Sequence, residues 1–278
     1  MRTGGSVVEP GREPFAVAGK AVDAGVEWLA RAGREWSERR FKESGEEVTD
    51  ADGEVERRVT RVLRQHFPDI PVVGEESDGA AGDGGPLPSR CWLLDPIDGT
   101  MNFTRGAPLY AVSLALVEDG RPSLGVLHAP ALDRRWNAAP AGPGGSKPPV
   151  EPPGGARALS RAVIGVTGAG SSTSRSGRYL DRLLDGAYRV RMHGCMSMDL
   201  VGVAEGWLDG CVCLTPKPWD VAAGVALLRR RGRAVLGAGG REFAFDSPLL
   251  AAGPAPLARE LAALWDSTAA GRGAGRPS

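Results

Sequence analysis

Cys91-Trp92-Leu93-Leu94-Asp95-Pro96-Ile97-Asp98-Gly99-Thr100-Met101-Asn102-Phe103 reads as a short buried strand that runs into two carboxylates. A glycine and a threonine then open a helix. Pro96 stiffens the turn between Asp95 and Asp98, so both carboxylates can converge on hard cations, which demand oxygen ligands. Gly99 allows close backbone approach, and the first amides of the helix that follows face the same point and favour an anion. Carboxylates for cations beside amides for an anion suggest a metal-bridged phosphate.

The 278 residues suffice for one large domain or two packed subdomains, and Lys plus Arg balance Asp plus Glu at 34 each. That balance argues against nucleic acid or an anionic membrane as partner and makes any phosphate binding local. Cys91, Cys195, Cys211 and Cys213 show neither C-x-x-C nor zinc-like spacing and read as reduced core thiols. No apolar run is long enough for a membrane span, and Met1 to Pro14 lacks the apolar centre of a signal peptide, so a cytoplasmic protein is expected. Residues 1–14 and 267–278 are expected to be frayed.

Upstream, Val22, Val26 and Leu29 recur with helical spacing in a segment expected to run from Phe15 to about Arg40. Lys42 to Glu47 is a polar turn, and a second helix follows with Val55, Val59, Val62, Leu63 and Phe67 along one stripe. Thr49 and Asp52 stand at its start, where local sequence alone favours a capping box. Ile70 to Val73 is a short strand leading into Gly74-Glu75-Glu76-Ser77. Those adjacent carboxylates read either as a solvated turn or as partners for Asp95 and Asp98. Asp78 to Ser89 is an exposed loop. Tyr110 to Val117, Glu118-Asp119-Gly120-Arg121 and Ser123 to His128 form a hairpin, with Arg134 to Ala138 as a third strand.

The Pro- and Gly-rich stretch from Ala139 to Gly155 marks a boundary, dividing an N-terminal α+β part (15–150) from a C-terminal α/β part (151–266). In the latter, strands at Ala162–Val166, Tyr188–Met192 and Trp207–Leu214 alternate with helices at Tyr179–Leu184 and Met198–Glu205. Pro218-Trp219-Asp220 introduces a helix to Arg231, and two short strands and a helix from Pro256 to Trp265 follow. Asp220 taken alone is equally a helix N-cap or a site residue. Arg229, Arg230, Arg231 and Arg233 complement the helix dipole as solvated cations rather than marking nucleic-acid binding.

Taken together, Gly74-Glu75-Glu76-Ser77, Asp95-Pro96-Ile97-Asp98-Gly99-Thr100 with Asn102-Phe103, and Trp219-Asp220-Val221-Ala222-Ala223-Gly224 resemble the inositol monophosphatase family of magnesium-dependent, lithium-sensitive phosphatases. The resemblance extends from Phe15 to Trp265, with Thr49, Asp52, the Asp119-Gly120 hairpin and Arg191 to Glu205 in family order. It implies a five-layered α-β-α-β-α sandwich, a homodimer, hydrolysis of a small phosphate monoester, and two or three magnesium ions. Glu75, Asp95 and the Ile97 carbonyl would hold one ion, and Asp95, Asp98 and Asp220 another; Glu75, with Glu76 through water, would serve a looser third. Thr100 and Asp52 would form the pair that orients and deprotonates the attacking water, which displaces the capping box as the leading reading of Asp52. The amides of Gly99 and Thr100 would contact phosphate, with Thr49 and Lys42 as supporting residues.

Substrate choice in such proteins depends on the segment Gly194-Cys195-Met196 and on the residues before Trp-Asp. Cys213 stands where inositol-hydrolysing members carry a hydroxyl-binding glutamate, and a thiol cannot replace a carboxylate as acceptor. Asp199 and Glu205 are the carboxylates that could substitute. Histidinol phosphate, a sugar phosphate, fructose bisphosphate and a nucleotide 3′-phosphate therefore stand beside a cyclitol phosphate as substrates. A regulatory protein that keeps the fold without catalysis is the alternative of another kind; it would be expected to lack a metal ligand, and none is missing.

Overall fold

The computed structural model describes residues 12–32, 38–42, 45, 47–76, 85–139, 158–168 and 174–269. Ser77, most of the loop expected at 78–89, nearly all of the Pro/Gly stretch at 139–155, and the outer parts of both termini lie outside the described residues. Residues 12–14 and 267–269 of the ends expected to be frayed lie among the described residues. Helix α1 (Arg12–Ala32) already contains Glu13 and Pro14, and Thr268 is 1% exposed, bonded to Arg175 and Arg178.

The first helix is amphipathic as expected, but it does not reach Arg40. Arg40 belongs to β1 (Arg40–Phe41), which pairs antiparallel with β2 (Glu47–Val48). Helix α2 (Asp50–His66) lays Val55, Val59 and Leu63 against the next sheet. That sheet comprises β3 (Val72–Gly74), β4 (Arg90–Asp98), β5 (Ala111–Glu118), β6 (Arg121–Ala129) and β7 (Arg134–Ala138), in that spatial order. Helix α3 (Thr100–Arg105) lies between β4 and β5. The β5–β6 turn has Asp119 and Gly120 at φ 49° and 72°, the paired positive angles a tight two-residue hairpin turn requires.

The second sheet has the order β11-β12-β10-β8-β9, from β8 (Val163–Thr167), β9 (Arg189–Arg191), β10 (Gly210–Leu214), β11 (Ala234–Leu236) and β12 (Leu249–Gly253). Its helices are α4 (Ser174–Gly186), α5 (Met196–Glu205), α6 (Pro218–Arg230) and α7 (Ala255–Ser267).

Side-chain alternation along the strands sorts these elements into layers. Trp92 and Leu94 of β4 face α1 and α2, whereas Cys91 and Leu93 face α5 and α6. In β10, Cys211 and Cys213 point to that same middle layer, while Val212 and Leu214 pack against α4 and α7. The result is an α-β-α-β-α sandwich with α5 and α6 buried at its centre. A helix buried on all sides must be apolar nearly all round, and α6 is buried continuously from Val221 to Leu228. All four cysteines are free and buried. Three of the arginines at the end of α6 are not solvated cations: Arg229 pairs with Glu242 at 3.0 Å, Arg231 pairs with Glu205 at 3.0 Å, and Arg233 is buried. Among the described residues, no helix is long and apolar enough to cross a membrane.

Candidate active site

Strand β4 does not end before its carboxylates, as the sequence suggested, but runs through both of them. Asp95 pairs with Ser113 and Asp98 with Ala111 of β5, so the register shifts between the two aspartates. Pro96 sits inside this irregularity, where its missing N–H costs no ladder bond. The Ile97 amide turns back to donate to Asp95 Oδ1 at 3.0 Å. Gly99 follows at φ 89°, a left-handed conformation that ends the strand and starts α3. A Cβ there would meet the Leu109 carbonyl at 2.9 Å and Cys195 Cβ at 3.1 Å.

These residues open into a cleft of about 340 Å³ lined by Phe41, Gly45, Glu47, Glu75, Asp95, Ile97, Asp98, Gly99, Thr100, Met101, Thr167, Gly168, Gly194, Met196 and Asp220. Each carboxylate is also anchored structurally. Asp98 accepts from the first amides of α5, Met196 N–H at 3.2 Å and Ser197 N–H at 2.5 Å. Burial raises the Asp98 pKa, and these amides pull against that rise. Asp220 is not the N-cap of α6; it lies inside the first turn and accepts the Lys217 N–H at 2.9 Å.

Asp52 makes the contacts that both competing readings require. Its Oδ2 accepts the Thr49 N–H at 2.8 Å and the Thr49 hydroxyl at 2.6 Å, which is the capping interaction. Its Oδ1 lies 3.2 Å from the Thr100 hydroxyl, which is also 2.9 Å from the Ile97 carbonyl. A hydroxyl has a single hydrogen, so Thr100 can donate fully to one of these acceptors at a time. Burial raises the Asp52 pKa to about 6, against the bonds from Thr49.

Glu75 is pushed to about 7 by burial, opposed by Lys42. The Lys42 ammonium bridges Glu75 at 2.8 Å and Glu76 at 2.5 Å; burial works against its charge, but the two carboxylates hold its pKa above the ordinary value. Asp95 rises well above the usual carboxylate range through burial and then through the charges of Glu75, Asp98, Asp220 and Asp52. Among the described residues, no three His, Cys, Asp or Glu side chains converge tightly enough to enclose an ion. The donor set nevertheless fits magnesium, whose usual ligands are one or two carboxylates, retained waters and substrate phosphate rather than a closed protein cage. A divalent cation would offset both the burial of these charges and their mutual repulsion.

The expected substrate-selecting residues divide. Gly194 and Met196 line the cleft, but Cys195 lies behind it, its thiol 3.4 Å from the Asp98 carbonyl. Cys213 is fully buried and does not reach the wall, because its side of β10 faces the middle helices. Neither proposed substitute reaches it. Asp199 is fully buried, accepting from His193 Nδ1 at 2.6 Å and from the Thr167 hydroxyl, and Glu205 is held by Arg231 and Arg134. Sequence reading missed the wall residues Phe41, Glu47, Met101 and Thr167. Asn102 belongs to the motif without an expected role; its amide donates to the Leu109 and His193 carbonyls, both at 2.7 Å, and so ties α3 to the Gly194 segment. An asparagine in the first turn of a short helix is the only local signal of that brace.

An open cleft of buried carboxylates beside an Asp–Thr pair, set between two sheets, places the protein with phosphoric monoester hydrolases. The model of the inositol monophosphatase family matches residues 12–269. Probable inositol 1-monophosphatase ImpA of Mycobacterium tuberculosis is 38% identical over 221 residues, 77% of this chain and 79% of the relative. Histidinol-phosphatase of the same organism is 38% identical over 193 residues, 66% of this chain and 72% of the relative. The solved IMPase of Thermotoga maritima superposes with a TM-score of 0.77 at 26% identity, covering 93% of this chain and 98% of that one. The chain belongs to the inositol monophosphatase family.

Proposed function

We propose that the protein hydrolyses a small phosphate monoester in a magnesium-dependent reaction, with water as the direct nucleophile. The observation that carries this reading is the Asp52–Thr100 contact at 3.2 Å beside Glu75, Asp95, Asp98 and Asp220. Glu75, Asp95, Asp98, Asp220 and the Ile97 carbonyl would hold magnesium, which supplies charge neutralisation for the phosphate and acidifies water.

The remaining work falls to this chain's own groups. With a pKa near 6, Asp52 is largely ionised at neutral pH and can accept a proton there. When the Ile97 carbonyl is engaged elsewhere, the Thr100 hydrogen turns to Asp52 and the Thr100 oxygen accepts from water. Water adds to phosphorus, its proton passes through Thr100 to Asp52, the bond from phosphorus to the alcohol oxygen breaks, the leaving oxygen takes a proton from solvent water, and Asp52 returns its own proton to solvent. Gly99 and Thr100 supply the amides assigned to phosphate oxygens. Alignment and charge neutralisation are the main requirements of phosphoryl transfer.

The names of the relatives span different alcohols, so family membership alone does not set the leaving group. The test is phosphate release from a panel of monoesters with and without magnesium, together with Asp95→Asn. No release from any substrate would sink the enzyme reading, and an unchanged rate in Asp95→Asn would move the centre elsewhere.

A further inference from the structure

Resting on the phosphatase reading, one feature of the cleft concerns the alcohol half of its substrate. Phe41 is 67% exposed and Met101 is 47% exposed, yet both line the same cleft as Asp95 and Thr100. Phe41 stands on β1 opposite Glu47, and Met101 follows Thr100 in the first turn of α3, against Gly194. Large apolar side chains left in water at the edge of a carboxylate-lined cleft form a surface that an apolar ligand can cover.

The polar side chains of this outer wall are already engaged. Glu47 is held by Arg105 at 2.8 Å and by the Thr104 hydroxyl at 3.0 Å, and the Thr167 hydroxyl donates to Asp199. The charge of Glu47 and the hydrogen of Thr167 are thus spent within the protein, whereas a ring would find an uncovered aromatic face and an adaptable thioether.

We infer that Phe41 and Met101 form a specificity surface selecting phosphate monoesters whose alcohol carries an aromatic or other flat apolar ring. The phosphate sits at the carboxylates and the ring covers Phe41 and Met101. Water attack and release of the alcohol are those of the proposed reaction, with no added reactant.

The test compares 2-phenylethyl phosphate, ethyl phosphate and inositol 1-phosphate in the presence of magnesium. Two carbons insulate the phenyl ring from the ester oxygen, so the first two differ in apolar contact far more than in leaving ability. The expected result is a KM about tenfold lower for the phenylethyl ester at similar kcat, as about 1.4 kcal/mol of apolar contact gives. In Phe41→Ala/Met101→Ala that ratio should shrink to about threefold or less. Calorimetry with the corresponding phosphonates, which cannot be hydrolysed, provides a readout independent of turnover. Equal binding of the phenylethyl and ethyl compounds, a preference that survives the double substitution, or inositol 1-phosphate as the best substrate would overturn the inference. Absence of phosphate release with the phosphonate preference intact would overturn the phosphatase reading instead.

Discussion

At the scale of single residues, the site is built from side chains that hold up an element and face the chemistry together. Asp52 illustrates the economy: one oxygen closes the cap of α2 and the other meets Thr100. Asp52→Asn keeps an oxygen for the Thr49 amide but removes the proposed proton acceptor. It is therefore expected to lower kcat by about 10²-fold or more while shifting stability by about 1 kcal/mol or less. Thr49→Ala reverses that balance, costing about 1 kcal/mol in urea unfolding and only a few-fold in kcat. Equal kcat losses in the two variants would show that Asp52 acts only as a cap. This doubling explains why local sequence reading stalled at Asp52 and Asp220. Three-residue spacing at a helix start looks the same whether or not the outer oxygen has a distant partner, and only the motifs of the whole chain supplied that partner.

At the scale of elements, the strands and central helices were legible because their burial repeats along the chain. The misses fall where no period exists. Two-residue strands such as β1 and β2 carry no pattern, so the expected first helix runs on to the start of β1 and β2 goes unread. The continuous apolar run of β10, buried on both faces, hides the direction in which Cys213 points. A register shift is equally silent, which is why β4 was ended too early. Gly99→Ala tests the geometry that follows the shift: a left-handed φ of 89° and the nearby Leu109 carbonyl both oppose a side chain. An unfolding loss of about 1–3 kcal/mol is expected, with a larger fall in kcat than in stability. A wild-type kcat would show that the strand-to-helix turn tolerates displacement. The start of α5 carries a pH signature. The hydrogen bond to Asp199 holds the His193 pKa above its ordinary value despite burial and Arg191. A folded pKa above the unfolded one stabilises fully below about pH 6.5 and loses that contribution as pH rises through the folded value. The melting-temperature gap between wild type and His193→Ala should accordingly be widest near pH 6 and narrow towards pH 9; a gap that widens with pH would reverse the assignment.

At the scale of the whole molecule, the cleft depends on two sheets keeping their spacing across α5 and α6. Glu75, Asp95 and Asp98 come from the first sheet and its loops, whereas Asp220 arrives on α6, so the proposed ligand set is complete only while α6 stays seated. Gly125 of β6 lies directly against that seat: a Cβ there would lie 2.8 Å from both the Cα and the carbonyl oxygen of Ala223. Backbone cannot swing aside as a side chain can, so Gly125→Ala must push α6 away from the sheet. The overpacking should cost about 1–3 kcal/mol in urea unfolding. A purely structural defect would stop there. Displacement of α6 should also move Asp220, one turn before Ala223, and weaken magnesium binding. Binding to the folded state raises its stability by mass action, so magnesium should raise the wild-type melting temperature more than that of Gly125→Ala at the same concentration. If the variant loses stability but retains the full magnesium-dependent shift, α6 has moved without carrying Asp220, and the spacing of the sheets does not govern the ion site.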